Sequence, residues 1–186
     1  MSRRMFTALL PPAGVRRELD ELLRPRRKTD RLIRYTSQER WHVTLSFMPA
    51  VGPASEETLV GLLHEIASGT AGFPVALGQA DGFPNARRAK VLYLGVTEGR
   101  GEVVALSSAC REAAGRAGTG ADQRESVPHL TIARVRYHPI DARTWRDELH
   151  PLPLLRWHVG SFALVASNMG DGPERYEVVA EFPLRG

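Results

Sequence analysis

The sequence is poor in cysteine and in long apolar runs, and each shortage excludes a class of protein. Cys110 is the one cysteine among 186 residues, so neither an intramolecular disulfide nor a thiol-rich metal site can form. No apolar run approaches the roughly 20 residues of a membrane-spanning helix. The apolar run after Arg4 stops at Pro11-Pro12, too early for the core of a signal peptide. We therefore expect a cytoplasmic protein without membrane contact.

Lysine is scarce as well, because Lys28 and Lys90 are the only two among 25 cationic residues. The remaining cations are arginines, which suit bidentate contacts with phosphate, although genomic composition can also favour arginine. Between Arg24 and Arg40, seven cations stand against two anions, a larger surplus than the net +4 of the whole chain. This basic segment is predicted to bind a polyanion, and an ordinary solvated loop is the alternative.

Two similar hexapeptides stand out, His42–Phe47 (HVTLSF) and His129–Arg134 (HLTIAR). Their alternating apolar and polar residues predict short β-strands. Regular alternation would give each strand one face bearing a histidine and a threonine. The predicted faces are His42, Thr44 and Ser46 in the first motif, and His129, Thr131 and Ala133 in the second. One such pair is weak evidence, whereas two copies suggest a site with one acid and one base.

The two motifs belong to a longer repeat. The step from His42 to His129 also carries Phe6 to Tyr93, and both halves read as strand, helix, motif strand, helix and further strand. A step this long, used only twice, excludes a solenoid. We interpret residues 1–186 as one domain built by internal duplication with pseudo-twofold symmetry. The alternative is a loose similarity between two ordinary strand-helix-strand units.

Hydrophobic periodicity and turn residues predict the elements around the motifs. The predicted helices are Val15–Leu23, Ser55–Ile66, Val103–Ala114 and Asp141–Leu149. The predicted strands outside the motifs are Met5–Leu10, Phe73–Leu77, Val91–Val96, Phe162–Ser167 and Tyr176–Phe182. The last two should form a hairpin around Gly170-Asp171-Gly172, and the glycine-rich loop Gly115–Pro128 is predicted to be able to move over a ligand.

The motif residues fit the cleavage of a cyclic phosphodiester. Such a reaction needs a base for the attacking oxygen, an acid for the leaving oxygen and donors for the phosphoryl charge. Two histidines can supply the acid and the base near pH 7. Thr44 and Thr131 can donate to the phosphate oxygens, and an arginine can offset developing charge. No metal ion or other cofactor is required, and no cluster of acidic residues has ligand spacing.

These residues resemble the two-histidine (2H) phosphoesterase superfamily, which carries two His-x-Thr-x motifs. Within it, the chain is similar to the RNA 2',3'-cyclic phosphodiesterases, also called 2'-5' RNA ligases. The similarity covers nearly the whole chain. It is carried by Phe6-Thr7-Ala8-Leu9, Arg40–Leu45, Val91–Val96, Pro128–Arg134 and the segment Phe162–Leu184. It implies an α+β, bilobal, duplicated fold with two antiparallel sheets, outer helices and an active-site cleft between the lobes.

The resemblance also implies an activity and residue roles. The implied activity is hydrolysis of an RNA 2',3'-cyclic phosphate end to a 2'-phosphate, together with reversible 2'-5' ligation. The resemblance also implies a monomeric enzyme, with tRNA halves among its candidate substrates. The implied roles are His42 as proton donor, His129 as proton acceptor, Thr44 and Thr131 as phosphate ligands, Arg134 as their support and Phe47 as a stacking ring. Near symmetry leaves the direction of the acid and base assignment open.

Strand parity conflicts with two of these roles. Phe47 and Arg134 each follow their histidine by an odd number of residues, which places them on the far face of a regular strand. They can reach the site only if the strand ends or bulges first. The aromatic residue ahead of the first motif could be Tyr35 or Trp41, and the sequence does not distinguish them.

Other interpretations remain at this point. The chain could hydrolyse small cyclic nucleotide phosphates, or it could bind RNA ends without catalysis. His42 and His129 could also be ordinary core histidines. A structural or surface role is expected for the other four histidines, which are His64, His138, His150 and His158.

Overall fold

The computed structural model describes residues 2–121, 127–168 and 175–186. These ranges contain four α-helices and nine β-strands in an α+β arrangement. The helices are α1 (Ala13–Thr29), α2 (Pro53–Gly69), α3 (Arg100–Arg116) and α4 (Ala142–Glu148). The strands are β1 (Arg3–Leu9), β2 (Ile33–Tyr35), β3 (Val43–Val51), β4 (Phe73–Phe83), β5 (Val91–Glu98), β6 (His129–Val135), β7 (Leu155–Val159), β8 (Ser161–Asn168) and β9 (Arg175–Pro183).

One antiparallel sheet of nine strands replaces the two separate sheets expected from the sequence. Its order is β7-β4-β5-β6-β3-β1-β8-β9, with β2 paired to β6. The expectation of two sheets was wrong because the motif strands β3 and β6 pair with each other. The pairing between β3 and β6 is short and contains one residue pair, Val43 and Leu130. The chain therefore has two half-sheets, β7-β4-β5-β6 and β3-β1-β8-β9, that meet at the two motifs.

Each half-sheet combines strands from both halves of the sequence. Strand β4 follows α2 in the first half, yet it pairs with β5 and β7. Strand β8 belongs to the second half and pairs with β1. The first helices of the halves match in length, because α1 and α3 each span 17 residues. They begin at Ala13 and Arg100, which are separated by the same step as the two motif histidines.

Part of the basic segment is helical, whereas the predicted helix ended at Leu23. Helix α1 continues beyond Leu23 to Thr29, with Pro25 inside it and Arg26, Arg27 and Lys28 in its last turn. Cations in the last turn interact favourably with the negative end of the helix dipole, which helps to explain the extension. The predicted turn at Gly170-Asp171-Gly172 lies outside the described residues, although β8 and β9 do pair as antiparallel strands.

The main core lies between the sheet and the helices. Helix α3 packs against β3, α2 packs against α3 and β9, and α4 packs against β4. Leu19, Leu59 and Leu106 are among the helix residues buried there. A small separate cluster covers the opposite face of β1 and β8, where Phe6, Ala8, Ala163 and Val165 pack with Tyr176. Among the described residues, no helix is both long and apolar enough to cross a membrane.

Candidate active site

Both motif strands contain a β-bulge at the same place in the motif. In the pairing of β1 with β3, Ala8 faces Thr44 and Thr7 faces Ser46, so Leu45 is an extra residue. In the pairing of β5 with β6, Tyr93 faces Thr131 and Leu92 faces Ala133, so Ile132 is the extra residue. An extra residue reverses the facing of the side chains that follow it.

The regular alternation predicted from the sequence is wrong beyond the two bulges. Ser46 and Ala133 leave the site face and are buried, because the facing of each strand changes before them. For the same reason Phe47 shares a face with Phe6, its partner on β1. Arg134, paired with Val91, likewise joins the face that carries His129 and Thr131. The parity conflict with Phe47 and Arg134 is thus resolved by the geometry of the strands.

The backbone carbonyl of each bulge residue accepts a hydrogen bond. The buried Ser107 hydroxyl on α3 donates to the carbonyl of Leu45 at 2.6 Å. Arg111 in turn donates from Nη1 to the Ser107 hydroxyl at 3.0 Å. At the second bulge, the backbone N–H of Thr36 donates to the carbonyl of Ile132 at 2.7 Å. Satisfying these carbonyls stabilises the bulged conformation, since an unpaired buried carbonyl is costly.

The two motifs meet at one cavity of about 210 Å³. Its lining contains both motif histidines, both motif threonines and four further residues. They are Thr36, Arg40, His42, Thr44, His129, Thr131, Arg134 and Tyr176. A neighbouring cavity of about 400 Å³ shares His42, Thr44 and Arg134 with the first and is also lined by Arg4, Phe6 and Phe47. All six residues singled out from the sequence therefore line this pair of cavities.

The histidines are oriented in the same way. His42 Nδ1 lies 2.7 Å from the carbonyl oxygen of Arg40, and His129 Nδ1 lies 2.7 Å from that of Val127. A carbonyl can only accept a hydrogen bond, so Nδ1 carries the proton in both rings. Protonation then changes at Nε2, which makes this nitrogen the acid or base of each imidazole.

Aromatic rings hold the two imidazoles but differ between the two sides. The His42 ring centroid lies 4.6 Å from that of Phe6 and 5.5 Å from that of Tyr176. The His129 ring lies 4.8 Å from Phe83 and 5.1 Å from Tyr93. Rings at these distances restrict imidazole rotation, which favours a fixed orientation of each Nε2.

Burial lowers the pKa of His129 below its ordinary value of 6.5, and the nearby Arg134 guanidinium lowers it further. The hydrogen bond to the Val127 carbonyl acts in the opposite direction and only partly compensates. Desolvation and a like charge both disfavour the imidazolium form. His129 is consequently suited to accept a proton near neutral pH.

Several cavity residues had no individual site role predicted from the sequence, although Arg40 belongs to the basic segment that was predicted to bind a polyanion. Arg4, Phe6, Arg40 and Tyr176 all contribute side chains to the larger cavity. The Arg40 guanidinium lies 5.1 Å from the Tyr176 ring centroid, and that of Arg4 lies 5.9 Å from the Phe47 ring centroid. A signal for two of them existed, because Arg4 and Phe6 alternate on a strand that precedes the first motif.

Neither candidate aromatic residue ahead of the first motif lines these cavities. The Tyr35 hydroxyl donates to Asp30 and accepts from the Trp145 indole. Burial and the hydrogen bond to Asp30 raise the Tyr35 pKa above its ordinary value. Trp41 is 2% exposed and belongs to the core. Phe47, at 41% exposure, is instead available for stacking.

The remaining histidines and much of the basic segment lie away from the cavities. His64 on α2 packs against Phe182. Arg24, Arg26 and Arg27 form ion pairs with Glu21, Glu148 and Asp20, respectively, which reduces the charge surplus predicted for the segment. Within the described ranges, no group of three or more histidine, cysteine or acidic residues is arranged to hold a metal ion.

The fold matches that of several proteins with solved structures. A Thermus thermophilus protein of known crystal structure has 24% identity to the chain and a TM-score of 0.76, and the match covers 98% of each chain. A crystal structure described as a phosphoesterase has 26% identity, a TM-score of 0.76 and full coverage of both chains. Escherichia coli LigT in its apo form has 24% identity and a TM-score of 0.77, over 100% of this chain and 99% of LigT.

The family model of the 2'-5' RNA ligase superfamily matches residues 11–171, and the chain belongs to this superfamily. Two curated relatives are both named RNA 2',3'-cyclic phosphodiesterase. The relative from Aquifex aeolicus is 26% identical over 157 residues, which cover 82% of each protein. The relative from Escherichia coli K12 is 26% identical over 184 residues, which cover 98% of this chain and 97% of the relative.

Proposed function

We propose that this protein hydrolyses RNA 2',3'-cyclic phosphate ends to 2'-phosphate ends, with two histidines as acid and base and without a metal ion. The observation that carries the proposal is the shared cavity of His42 and His129, in which both rings are anchored through Nδ1. The relatives named RNA 2',3'-cyclic phosphodiesterase support the same substrate class.

His129 acts as the general base in this proposal. Its lowered pKa keeps Nε2 neutral near pH 7, so that it can take a proton from water while the water oxygen attacks phosphorus. His42 then donates a proton to the 3'-oxygen as the bond from that oxygen to phosphorus breaks. The products are a 3'-hydroxyl and a 2'-phosphate. Histidines from opposite half-sheets suit an in-line displacement, in which attacking and leaving oxygens lie on opposite sides of phosphorus.

The other cavity residues bind the substrate. Thr44 and Thr131 donate hydrogen bonds to the non-bridging phosphate oxygens, one from each motif. Arg134 offsets the negative charge that develops there, as preorganised donors do in other transferase and hydrolase sites. Phe47 stacks on the terminal base, and the Arg4 guanidinium near its ring supports that platform through a cation–π contact.

The chain acts in this proposal as a single bilobal domain of residues 1–186, derived by duplication. The matched positions of the bulges at Leu45 and Ile132 support the duplication, as do the equal lengths of α1 and α3. Ligation through a 2'-5' linkage would use the same two histidines in the same roles: His129 takes the proton of an RNA 5'-hydroxyl that attacks phosphorus in place of water, and His42 again protonates the departing 3'-oxygen. A monomer suffices, because one chain supplies both motifs.

The test is to incubate the protein with a short RNA that ends in a 2',3'-cyclic phosphate and to locate the phosphate in the product. We expect a 2'-phosphate, at the same rate with and without EDTA. A 3'-phosphate would contradict the assignment of the leaving oxygen, and strong inhibition by EDTA would contradict metal-independent catalysis. If no reaction occurs while the RNA binds, the protein is a non-catalytic binder of RNA ends.

A further inference from the structure

A two-stranded ribbon leads away from the catalytic cavity. Strand β2 pairs with β6 outside the main path of the sheet, in a register that places Arg34 opposite Arg134. The ladder continues past the end of β6, because the Arg136 N–H donates to the Leu32 carbonyl at 2.9 Å. Alternation then places Leu32, Arg34, Arg134 and Arg136 on one face of the ribbon.

This face is the one that carries the catalytic cavity. Arg134 lines both cavities, and Thr36, which shares the face of Arg34 on β2, lines the smaller one. Arg34 and Arg136 line neither cavity. From Arg134 to Arg136 is a step of two strand residues, roughly 7 Å further from the motif histidine. The ribbon therefore extends the cleft outward from His129.

The charges on this face lack compensation from the described part of the protein. Arg34, Arg134 and Arg136 are all exposed, and the ion pairs formed by described residues involve none of them. Like charges placed directly opposite each other on paired strands are destabilising. Arg34 and Arg134 stand in that relation, whereas Arg26 and Arg27 at the end of α1 pair with carboxylates. An external anion would relieve the repulsion.

We infer that Arg34 and Arg136 bind the phosphates of the RNA strand that precedes the terminal cyclic phosphate. Arg134 stands at the junction between the terminal nucleotide and this track. Leu32, on the same face, is 55% exposed and offers apolar surface to a base beside the track. This inference rests on the proposed function and adds to it a second contact region, which binds the RNA strand beyond its terminal nucleotide.

The test compares two substrates in the double variant Arg34→Gln/Arg136→Gln. One is an RNA of about eight nucleotides with a 2',3'-cyclic phosphate end, and the other is a 2',3'-cyclic mononucleotide, which is too short to span the track. We expect KM to rise at least tenfold more for the RNA than for the mononucleotide. The slope of log(kcat/KM) against log salt for the RNA should become shallower by about 1.4, which corresponds to two lost phosphate contacts on a single strand.

A matched control is Arg17→Gln/Arg116→Gln, which removes the same charge from exposed positions on α1 and α3. It should change neither the substrate ratio nor the salt slope by much. If the ribbon variant affects both substrates equally, or behaves like the control, the inference is wrong. If the unmodified protein cleaves neither substrate, the proposed function fails instead, so the two failures are distinguishable.

Discussion

The two site histidines share an anchor but differ in their surroundings. Each imidazole is held by the carbonyl two residues before it, which follows from the repeated motif. The surroundings come from other parts of the chain, and around His129 burial and, to a lesser degree, Arg134 lower the pKa of the imidazole. Symmetry in the motif therefore places two similar groups, and the surroundings of His129 suit it to act as the base.

Loss of either imidazole should abolish most of the activity. We expect His42→Ala and His129→Ala each to lower kcat by about 10²–10⁴, equivalent to roughly 3–5 kcal/mol of barrier, because general acid–base catalysis is worth that much. Circular dichroism should show a native fold in both. His138→Ala, at an exposed position outside the cavities, serves as the control. A folded variant of either site histidine that loses less than tenfold would refute the assignment.

The pH dependence should identify the base. Because the pKa of His129 lies below 6.5, the acidic limb of the plot of kcat/KM against pH should have its midpoint below pH 6.5. Arg134 lowers this pKa by charge repulsion, so Arg134→Gln should move the limb towards higher pH, in addition to any loss of binding. Arg136→Gln, further along the ribbon, should shift it less. Burial is the larger cause of the lowered pKa, so an acidic limb that does not move in Arg134→Gln would contradict the contribution of Arg134 alone.

At the scale of elements, the sequence predicted the motif strands and their neighbours but not their irregularities. Periodicity identified the four helices and placed His42, Thr44, His129 and Thr131 on site-facing positions. It misplaced Ser46 because a bulge at Leu45 has no signature in apolar periodicity, and neither bulge residue is glycine. The donors that stabilise the bulges, Ser107 and Thr36, are remote or lie in the backbone, so local sequence reasoning could not identify them.

The Ser107 hydrogen bond should be important for the first bulge. Ser107→Ala leaves the Leu45 carbonyl and the Arg111 guanidinium without this buried hydroxyl, which should cost about 1–3 kcal/mol. A looser bulge should also misplace Phe47 and raise KM. Urea denaturation and steady-state kinetics measure the two effects. Ser108→Ala, one residue along α3 and exposed, is the matched control, and equal stability of the two variants would contradict the role given to Ser107.

At the scale of the whole molecule, the order of strands makes the two halves of the sequence interdependent. A simple duplication would give each half of the sequence its own sheet. Instead β4 of the first half completes the half-sheet of β5 and β6, and β8 and β9 of the second half complete that of β1 and β3. The candidate active-site cavity lies where these half-sheets meet, so the positions of its two histidines depend on strands from both halves of the chain.

Because each half-sheet uses strands from both halves of the sequence, we expect one cooperative unfolding transition and no independently folded half. Residues 1–90 lack the β8 neighbour that covers β1, and residues 91–186 lack the β4 neighbour shared by β5 and β7. Each fragment would therefore expose unpaired strand edges and apolar surface.

For the intact chain, far-ultraviolet circular dichroism and tryptophan fluorescence should give the same urea midpoint, since Trp41 lies in the first half and Trp145 and Trp157 in the second. Each fragment alone should lack dispersed amide signals in NMR spectra. Two separate transitions, or a folded fragment, would show that the halves are autonomous lobes and that the shared strands contribute little to holding the two histidines together.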